Sequence, residues 1–411
     1  MTKIYDIIII GSGPSGLSTA LHLDRLARGH GLATLILEKS RHPRPKLCAG
    51  GILAEGEAIL AKLGFDLREV PHVDVDKAHF NYKGRGLIAR LSRKRPIFRT
   101  VRRDEFDAWL ASKAREQGIE IEEGITVKKV AVCDKYALIQ TDQGEYRAKV
   151  VVGADGSNSI VRRSVMKNPR PHVGRALEVI VPEHVTARRA QLDAAVSKPV
   201  RRSLTLKGTR RSARDDKQKN ATFDFLPVPQ GISGYLWDFP ALVKGEEMRC
   251  WGIYDSNIIP QSKRAPLRQI LADEMAAHGY NLDDYELKGH PIRWYEPANT
   301  PAIPRVLLVG DALGADALLG EGISPALGYG KVAAQEILHA FKKNDFRFEK
   351  YTGRLLRSRL GGALWRRTFI ARIFYLFKTE FWQRFVWHYF NRVAGIFGFL
   401  FVVGWEKKKK Q

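Results

Sequence analysis

Four consecutive isoleucines, Ile7–Ile10, run into Gly11-Ser12-Gly13-Pro14-Ser15-Gly16, and no other stretch restricts the fold of this chain as much. An apolar run without a polar face predicts a strand buried on both sides in a parallel sheet. The G-x-G-x-x-G turn after it has the form that a dinucleotide requires. Gly11 makes the tight turn, Gly13 lets backbone approach a pyrophosphate, and Gly16 lets a helix pack on the strand. Pro14 and Ser15 lie within this turn, and Leu17–Arg28 continues as an apolar pattern at helical spacing. Thr34–Leu37 predicts a second buried strand, ending in Glu38 and followed by Lys39. Glu38 lies 27 residues after Gly11, near where a ribose-binding acid belongs.

A second stretch of the same character lies almost at the other end. Val306–Ile323 reads VLLVGDALGADALLGEGI, an apolar strand leading into Gly310-Asp311 and a glycine-punctuated turn. Gly320-Glu321-Gly322-Ile323 then opens a helix. A carboxylate at a strand end accepts hydrogen bonds from a polyol, and the free N–H groups of a helix start favour a phosphate or an electron-rich ring.

At 411 residues two or three domains are expected. The first strand begins at Ile4, so no signal peptide is expected. Cys48, Cys133 and Cys250 have no metal-ligand spacing and fit a reducing compartment, so neither a zinc site nor a disulfide framework is expected.

The net charge of +24 is unusual for an enzyme of this size and suits nucleic acid, an anionic membrane or an acidic redox protein. Its distribution decides. Residues 353–411 hold thirteen Lys and Arg against two acids, with four of the eight Trp and nine of the nineteen Phe. Basic residues interleaved with Trp and Phe describe an interfacial helix. Nucleic-acid binding would account for the charge but for none of the glycine motifs, so it is set aside. The apolar run 393–405 is about 20 Å long as a helix, short of a bilayer core of about 30 Å. A monotopic or re-entrant attachment is therefore expected, peripheral on the cytoplasmic face. The alternatives are a single span from Phe385 to Trp405 and a helix packed wholly on the protein's own core.

The scattered nucleotide signals predict an α/β (α+β overall) chain with a discontinuous Rossmann-like domain at 1–75, 98–170 and 295–345. Within it Asp104–Glu116 reads as a helix with Phe106, Leu110 and Ala114 on one face. Alternating segments within 76–97 and 171–294 predict an antiparallel-sheet substrate domain: His79–Leu91, Leu177–Val181, Ser203–Leu206, Thr222–Leu226, Gly234–Phe239 and Met248–Tyr254. Leu267–His278 is a helix among them. The basic stretch Arg188–Lys219 predicts an exposed hairpin or loop, and 346–411 an aromatic, basic helical region associated with the membrane.

Three segments together resemble the FAD-dependent oxidoreductases that include aromatic hydroxylases and geranylgeranyl reductases: GSGPSG at Gly11–Gly16, GADGSNSIVR at Gly153–Arg162, and GDALGADALLGEGI at Gly310–Ile323. The resemblance implies FAD, held by Asp155, Gly156, Gly310, Asp311, Gly322 and Ile323 besides the first turn. It also implies a place beside FAD for Val127 and for Arg103, which opens an R-x-x-F-D-x-x-L helix. Two more segments are similar to the geranylgeranyl reductase branch. PKLCAGGI at Pro45–Ile52 resembles its K-x-C-G-G-G loop, which implies that Lys46, Cys48, Ala49 and Gly51 lie near the flavin. GYLWDFP resembles its Y-x-W-x-F-P motif, which implies that Tyr235, Trp237, Phe239 and Pro240 line a lipid pocket. Ala49 stands where the family usually has glycine, and Ala317 where proline is common.

Saturating an isolated prenyl double bond requires a dry pocket against the flavin, a hydride and a proton donor. Cys48 and Tyr235 are the sequence's candidates for that chemistry; Cys48 reads equally as a small residue filling a turn, and Tyr235-x-Trp237-x-Phe239 as an ordinary half-buried strand. NADPH or reduced, acidic ferredoxin is the expected electron source. The competing activities are a flavin monooxygenase and a membrane-bound flavoprotein passing electrons to quinone.

Overall fold

A computed structural model describes residues 3–27, 31–91, 95–166, 173–183, 219–261, 264–391, 393, 395 and 404–406. The isoleucine run explains the first sheet. Ile8 lies between Leu35 and Val151 of two parallel neighbours, and Ile7, Ile8 and Ile9 have no exposed surface. A strand covered on both faces has no position for a polar side chain, which is why its sequence does not alternate. Eight strands form this sheet, and along its main path the order is Ala302–Ile303, Val306–Leu308, Glu145–Gly153, Ile4–Ile10, Thr34–Glu38 and Glu120–Glu123. The contacts from Val306–Leu308 to Glu120–Glu123 are all parallel. The strands Val127–Val132 and Ala137–Thr141 fold back antiparallel onto Glu145–Gly153. The carboxyl ends Ile10, Glu38, Gly153 and Leu308 therefore gather on one edge, where ligands bind in open parallel sheets. Two helices begin at the same edge, Pro14–Leu26 and Ile323–Lys343, and cross closely enough for Ser18 Oγ to donate to the Leu327 carbonyl at 2.7 Å.

The second sheet has seven strands in the order Lys288–Arg293, Val173–Pro182, Glu246–Asp255, Gly234–Val243, Asn220–Asp224, Lys77–Tyr82 and Arg85–Ala89. It departs from the antiparallel expectation at one place: Asn220–Asp224 runs parallel to Lys77–Tyr82, with Phe223 beside Phe80. Alternation fixes which face a side chain takes and is silent on direction when two strands come from distant segments. One face packs Leu236, Ile253 and Val179 on the helix Leu267–Ala277 through Ile270, Leu271 and Met275. The other carries Tyr235, Trp237, Phe239, Phe223 and Tyr254 inward. A three-stranded sheet of Gly51–Leu53, Phe98–Val101 and His72–Val75 completes the strands named above. The expected strand Ser203–Leu206 and, apart from Lys219, the expected basic loop Arg188–Lys219 lie outside the described residues.

Toward the carboxyl end come the helices Tyr351–Arg357, Arg359–Phe374 and Glu380–Arg384, the last continuing into a π-helical turn, Phe385–Tyr389. Much of the expected span from Phe385 to Trp405 lies outside the described residues, and its described ends pack on the protein, with Trp387 in the core of the second sheet. Trp405 is buried in the same core as the Ile323–Lys343 helix, and Glu406 pairs with Lys62. No described helix is long and apolar enough to cross a membrane.

Candidate active site

A cavity of about 870 Å³ runs from the edge of the parallel sheet to the inner face of the second sheet. At its first end lies the glycine turn. Gly11 has φ +103°, and a Cβ there would lie 2.5 Å from the Ala154 carbonyl oxygen, so only glycine fits. At Gly13 the atom nearest to an added Cβ is Arg44 Nη2 at 3.7 Å, which leaves its face open to the cavity. The helix behind it starts at Pro14 with no side-chain cap, so its first N–H groups are available to an anion. Glu38 is buried beside them. It accepts from Ser12 N at 2.8 Å, Ser12 Oγ at 2.7 Å and Ser40 N at 3.0 Å. Burial alone would raise its carboxyl; Arg44 and the Ser12 and Ser40 donors outweigh it and hold the group below the usual range. A carboxylate offers about four acceptor positions, so room remains for a ribose hydroxyl.

Further along, Asp155 Oδ2 accepts from Ile160 N at 2.6 Å and Val161 N at 3.1 Å, while the buried Oδ1 has no partner. Burial raises this carboxyl. Asp311 lines the cavity opposite, accepting from Ser157 Oγ at 3.4 Å, and the Ile323–Lys343 helix opens beside it at Gly322, again without a side-chain cap. Two uncapped helix starts, an open glycine face and an orphaned carboxylate oxygen in one cavity match the phosphates, sugar and ring of a dinucleotide. These residues fit FAD.

Between the two ends lies the loop around Cys48. Arg103 is clamped by Asp107 through two 2.9 Å bonds and reaches the Cys48 thiol. Burial pushes that thiol up, against the pull of Arg103. Lys46 donates to His290 Nε2. Burial brings Lys46 down to about 8 against the attraction of Asp311, and burial with Lys46 lowers His290 to about 4.

The far end is aromatic. Tyr235, Trp237 and Phe239 alternate along one strand, and Phe223 stands 4.9 Å from Phe239 and 5.1 Å from Tyr235 between ring centres. Trp237 lies flat over Gly252, where a Cβ would be 2.1 Å from the indole. Tyr235 donates its hydroxyl proton to the Leu319 carbonyl at 2.5 Å, and burial pushes that hydroxyl far above the ordinary phenol range.

The cavity wall takes in Pro14, Ser15, Lys39, Ala49, Gly51, Val127, Gly156 and Ile323 as well. Three residues expected at the site are not on it. Gly16 lies under the turn, where a Cβ would be 2.0 Å from the Gly11 oxygen, and Gly310 packs on Ser15. Pro240 has the opposite parity to Phe239, and its carbonyl accepts from Thr100 Oγ1 at 2.7 Å.

Glu178 lines the cavity and was not among the expected residues. It is 6% exposed, lies beside Cys48 and Cys250, and its Oε2 is buried without a hydrogen-bond partner. In RALEVIV the alternation puts it opposite Leu177, Val179 and Val181, a position that reads as solvent-facing. Here that face lines the cavity.

A family model described as an FAD binding domain matches residues 4–202. The chain is 30% identical over 347 residues to an uncharacterized protein of Methanosarcina barkeri, covering 84% of this chain and 77% of the other. To a digeranylgeranylglycerophospholipid reductase of Thermoplasma volcanium it is 27% identical over 365 residues, covering 84% and 80%. A solved structure of a geranylgeranyl bacteriochlorophyll reductase-like protein of Thermoplasma acidophilum shares the fold, with a TM-score of 0.68 at 22% identity over 92% of each chain.

Proposed function

Because this chain belongs to the FAD binding domain family of oxidoreductases and is distantly homologous to the digeranylgeranylglycerophospholipid reductases, we propose that it saturates double bonds of a prenyl chain carried by a membrane lipid, quinone or pigment precursor. The observation that carries this reading is the aromatic end of the cavity, walled by Tyr235, Trp237, Phe239 and Phe223 and continuous with the cofactor end. Such a wall suits an isoprenoid and excludes water. When bound, FAD supplies the hydride. The chain's own residues do the rest. The Gly11–Ser15 turn and the helix behind it hold the pyrophosphate, Glu38 a ribose hydroxyl, and Asp311 the polyol. The start of the Ile323–Lys343 helix meets the electron-rich ring edge, where its N–H groups favour negative charge. Arg103, fixed by Asp107, holds the Cys48 loop against the site. Reducing equivalents come from a nicotinamide nucleotide or an acidic ferredoxin.

The outer surface supports a membrane location for the substrate. The helix Arg359–Phe374 buries Leu360, Leu364 and Ala371 and exposes Trp365, Phe369 and Ile373. Beyond it Phe377, Phe381, Tyr389 and Phe390 are also exposed, Phe381 at 76% and Tyr389 at 79%. These exposed apolar side chains lie within the strongly basic segment and suit an anionic lipid surface. Anaerobic turnover tests the activity. Enzyme reduced with dithionite and given geranylgeranyl chains should yield products heavier by two hydrogens per double bond. Products that form only with oxygen and gain an oxygen atom would replace this reading with that of a monooxygenase.

A further inference from the structure

We propose that Glu178 is the proton donor of the site, placing its proton on the alkene carbon that does not receive the hydride. This rests on the prenyl-reductase reading above and adds to it a residue that neither the motifs nor the comparisons assign.

Three observations carry it. The first is position. Glu178 and Ala176 are the residues of the Val173–Pro182 strand that line the cavity, and Glu178 lies between Cys48 of the cofactor-side loop and Cys250, whose thiol neighbours the Trp237 indole at 3.5 Å. It thus stands where the cofactor end meets the aromatic end. The second is an unfilled oxygen. Cys48 and Cys250 lie beside the carboxyl group, and its Oε2 is buried without a partner. A carboxylate in that position would leave a buried charge half-solvated, which favours keeping the proton. Burial brings the group up to about 7, with Arg102 and Lys288 pulling in the opposite direction. The third is the state of the competing donors. The Tyr235 proton is committed to the Leu319 carbonyl, and the Cys48 thiol is raised by burial.

The groups beside Glu178 are Cys48 from the loop, Cys250 from the strand on one side and Lys288 from the strand on the other; Lys46 and His290 line the same cavity. Arg102, just before the Arg103–Glu116 helix, acts on it as well, and Arg103 lines the same cavity beside Cys48. The balance of the step is simple. The alkene takes a hydride and its electron pair from reduced flavin at one carbon as the π bond breaks. At the other carbon it takes the Glu178 proton. The O–H electron pair stays on the carboxylate, which regains a proton from solvent, and the flavin is left oxidised.

Replacing Glu178 with Gln keeps the shape of the side chain but removes the acidic proton. Glu178→Gln should lower prenyl reduction about 100-fold, with FAD content and dithionite reduction of the flavin unchanged. The wild-type rate should fall as pH rises through about 7, and the variant should lack that limb. An independent readout needs no turnover. Infrared difference spectra of the flavin-free wild type, from about pH 6 to about pH 8, should show a buried carboxylic-acid carbonyl band that is lost with rising pH. Burial brings Asp224 to about 7 as well, so the Glu178 band is the part of the wild-type signal that the variant lacks. A variant rate within twofold of wild type, or a carboxylic-acid band of equal intensity in the two proteins, overturns the donor role alone. A wild type that reduces no prenyl chain overturns the reductase reading and the donor role with it.

Discussion

Arg367, on the carboxyl-terminal helix, meets Glu321 Oε2 at 2.6 Å with its own side chain 1% exposed. The same guanidinium reaches Asp316 Oδ2 at 3.4 Å. Both carboxylates belong to the turn between Asp311 and Ile323, and Glu321 lines the cavity immediately before the helix start at Gly322. The outer helix therefore holds the cofactor-side turn through a buried charge cluster. Removing the cation alone leaves two buried carboxylates without the charge they share. Arg367→Met should destabilise the protein by about 3–5 kcal/mol and weaken FAD binding. Adding Asp316→Asn and Glu321→Gln to it should recover most of the stability. Thermal unfolding of the three proteins, with FAD titration, checks both; equal melting temperatures would show that the cluster does not anchor the turn.

That cluster also shows where the sequence stopped being informative. Ile7–Ile10, the Gly11–Gly16 turn and the Asp104–Glu116 helix are encoded locally, by burial on both faces, by a turn only glycine can make and by 3.6-residue spacing. Each could be read from a few neighbouring residues. Arg367 pairs with acids 46 and 51 residues away, and no local pattern marks it. Glu178 was hidden for a different reason. A lone acid opposite Leu177 and Val179 is the usual mark of a solvent face, and only the distant Cys48 loop on the other side of the cavity makes that face an inner one. Trp405 looked like the end of a membrane segment because its apolar neighbours do not tell lipid from protein core. The parallel pairing of Phe223 with Phe80 was likewise beyond the reach of a two-residue period.

Gly11 and Gly13 sit two residues apart in the same turn and should fail differently. At Gly11 a side chain meets the Ala154 carbonyl in a left-handed conformation, so Gly11→Ala should lower the stability of the flavin-free protein by about 1–2 kcal/mol or more. At Gly13 a methyl group meets only Arg44 Nη2 at 3.7 Å. Gly13→Ala should therefore leave the melting temperature of the flavin-free protein within about 2 °C of wild type while weakening FAD at least about tenfold. Comparable FAD affinity in Gly13→Ala and wild type would show that the pyrophosphate does not approach this backbone.

Gly252 controls the aromatic wall. A Cβ at this position would lie 2.1 Å from the Trp237 ring and 2.4 Å from the Leu177 carbonyl oxygen, and the backbone oxygen cannot move aside. Gly252→Ala should tilt the indole into the cavity at a cost of about 1–3 kcal/mol in stability. Because the damage falls on the substrate end, KM for a prenyl chain should rise more than the affinity for FAD falls. Parallel titrations of FAD and substrate distinguish the two, and equal losses in both would place Trp237 outside the substrate wall.

The exposed aromatic face can be separated from the catalytic machinery because its side chains point away from the core. Phe369 and Phe381 are exposed at 53% and 76%, so replacing both with Ser leaves the buried side of their helices intact. Each Phe buried in a lipid interface contributes about 1.5–3 kcal/mol, and about 1.4 kcal/mol is tenfold in affinity. Phe369→Ser with Phe381→Ser should therefore weaken co-sedimentation with phosphatidylglycerol vesicles at least about tenfold, with FAD content unchanged. Raising the salt should weaken wild-type binding as well, since the basic residues around the face act through screened charge. Neutral phosphatidylcholine vesicles should bind less than anionic ones at low salt. Undiminished binding by the double variant would place the lipid contact elsewhere, and concentration-dependent dimerisation lost in the same variant would identify a second copy of the chain as what covers this face.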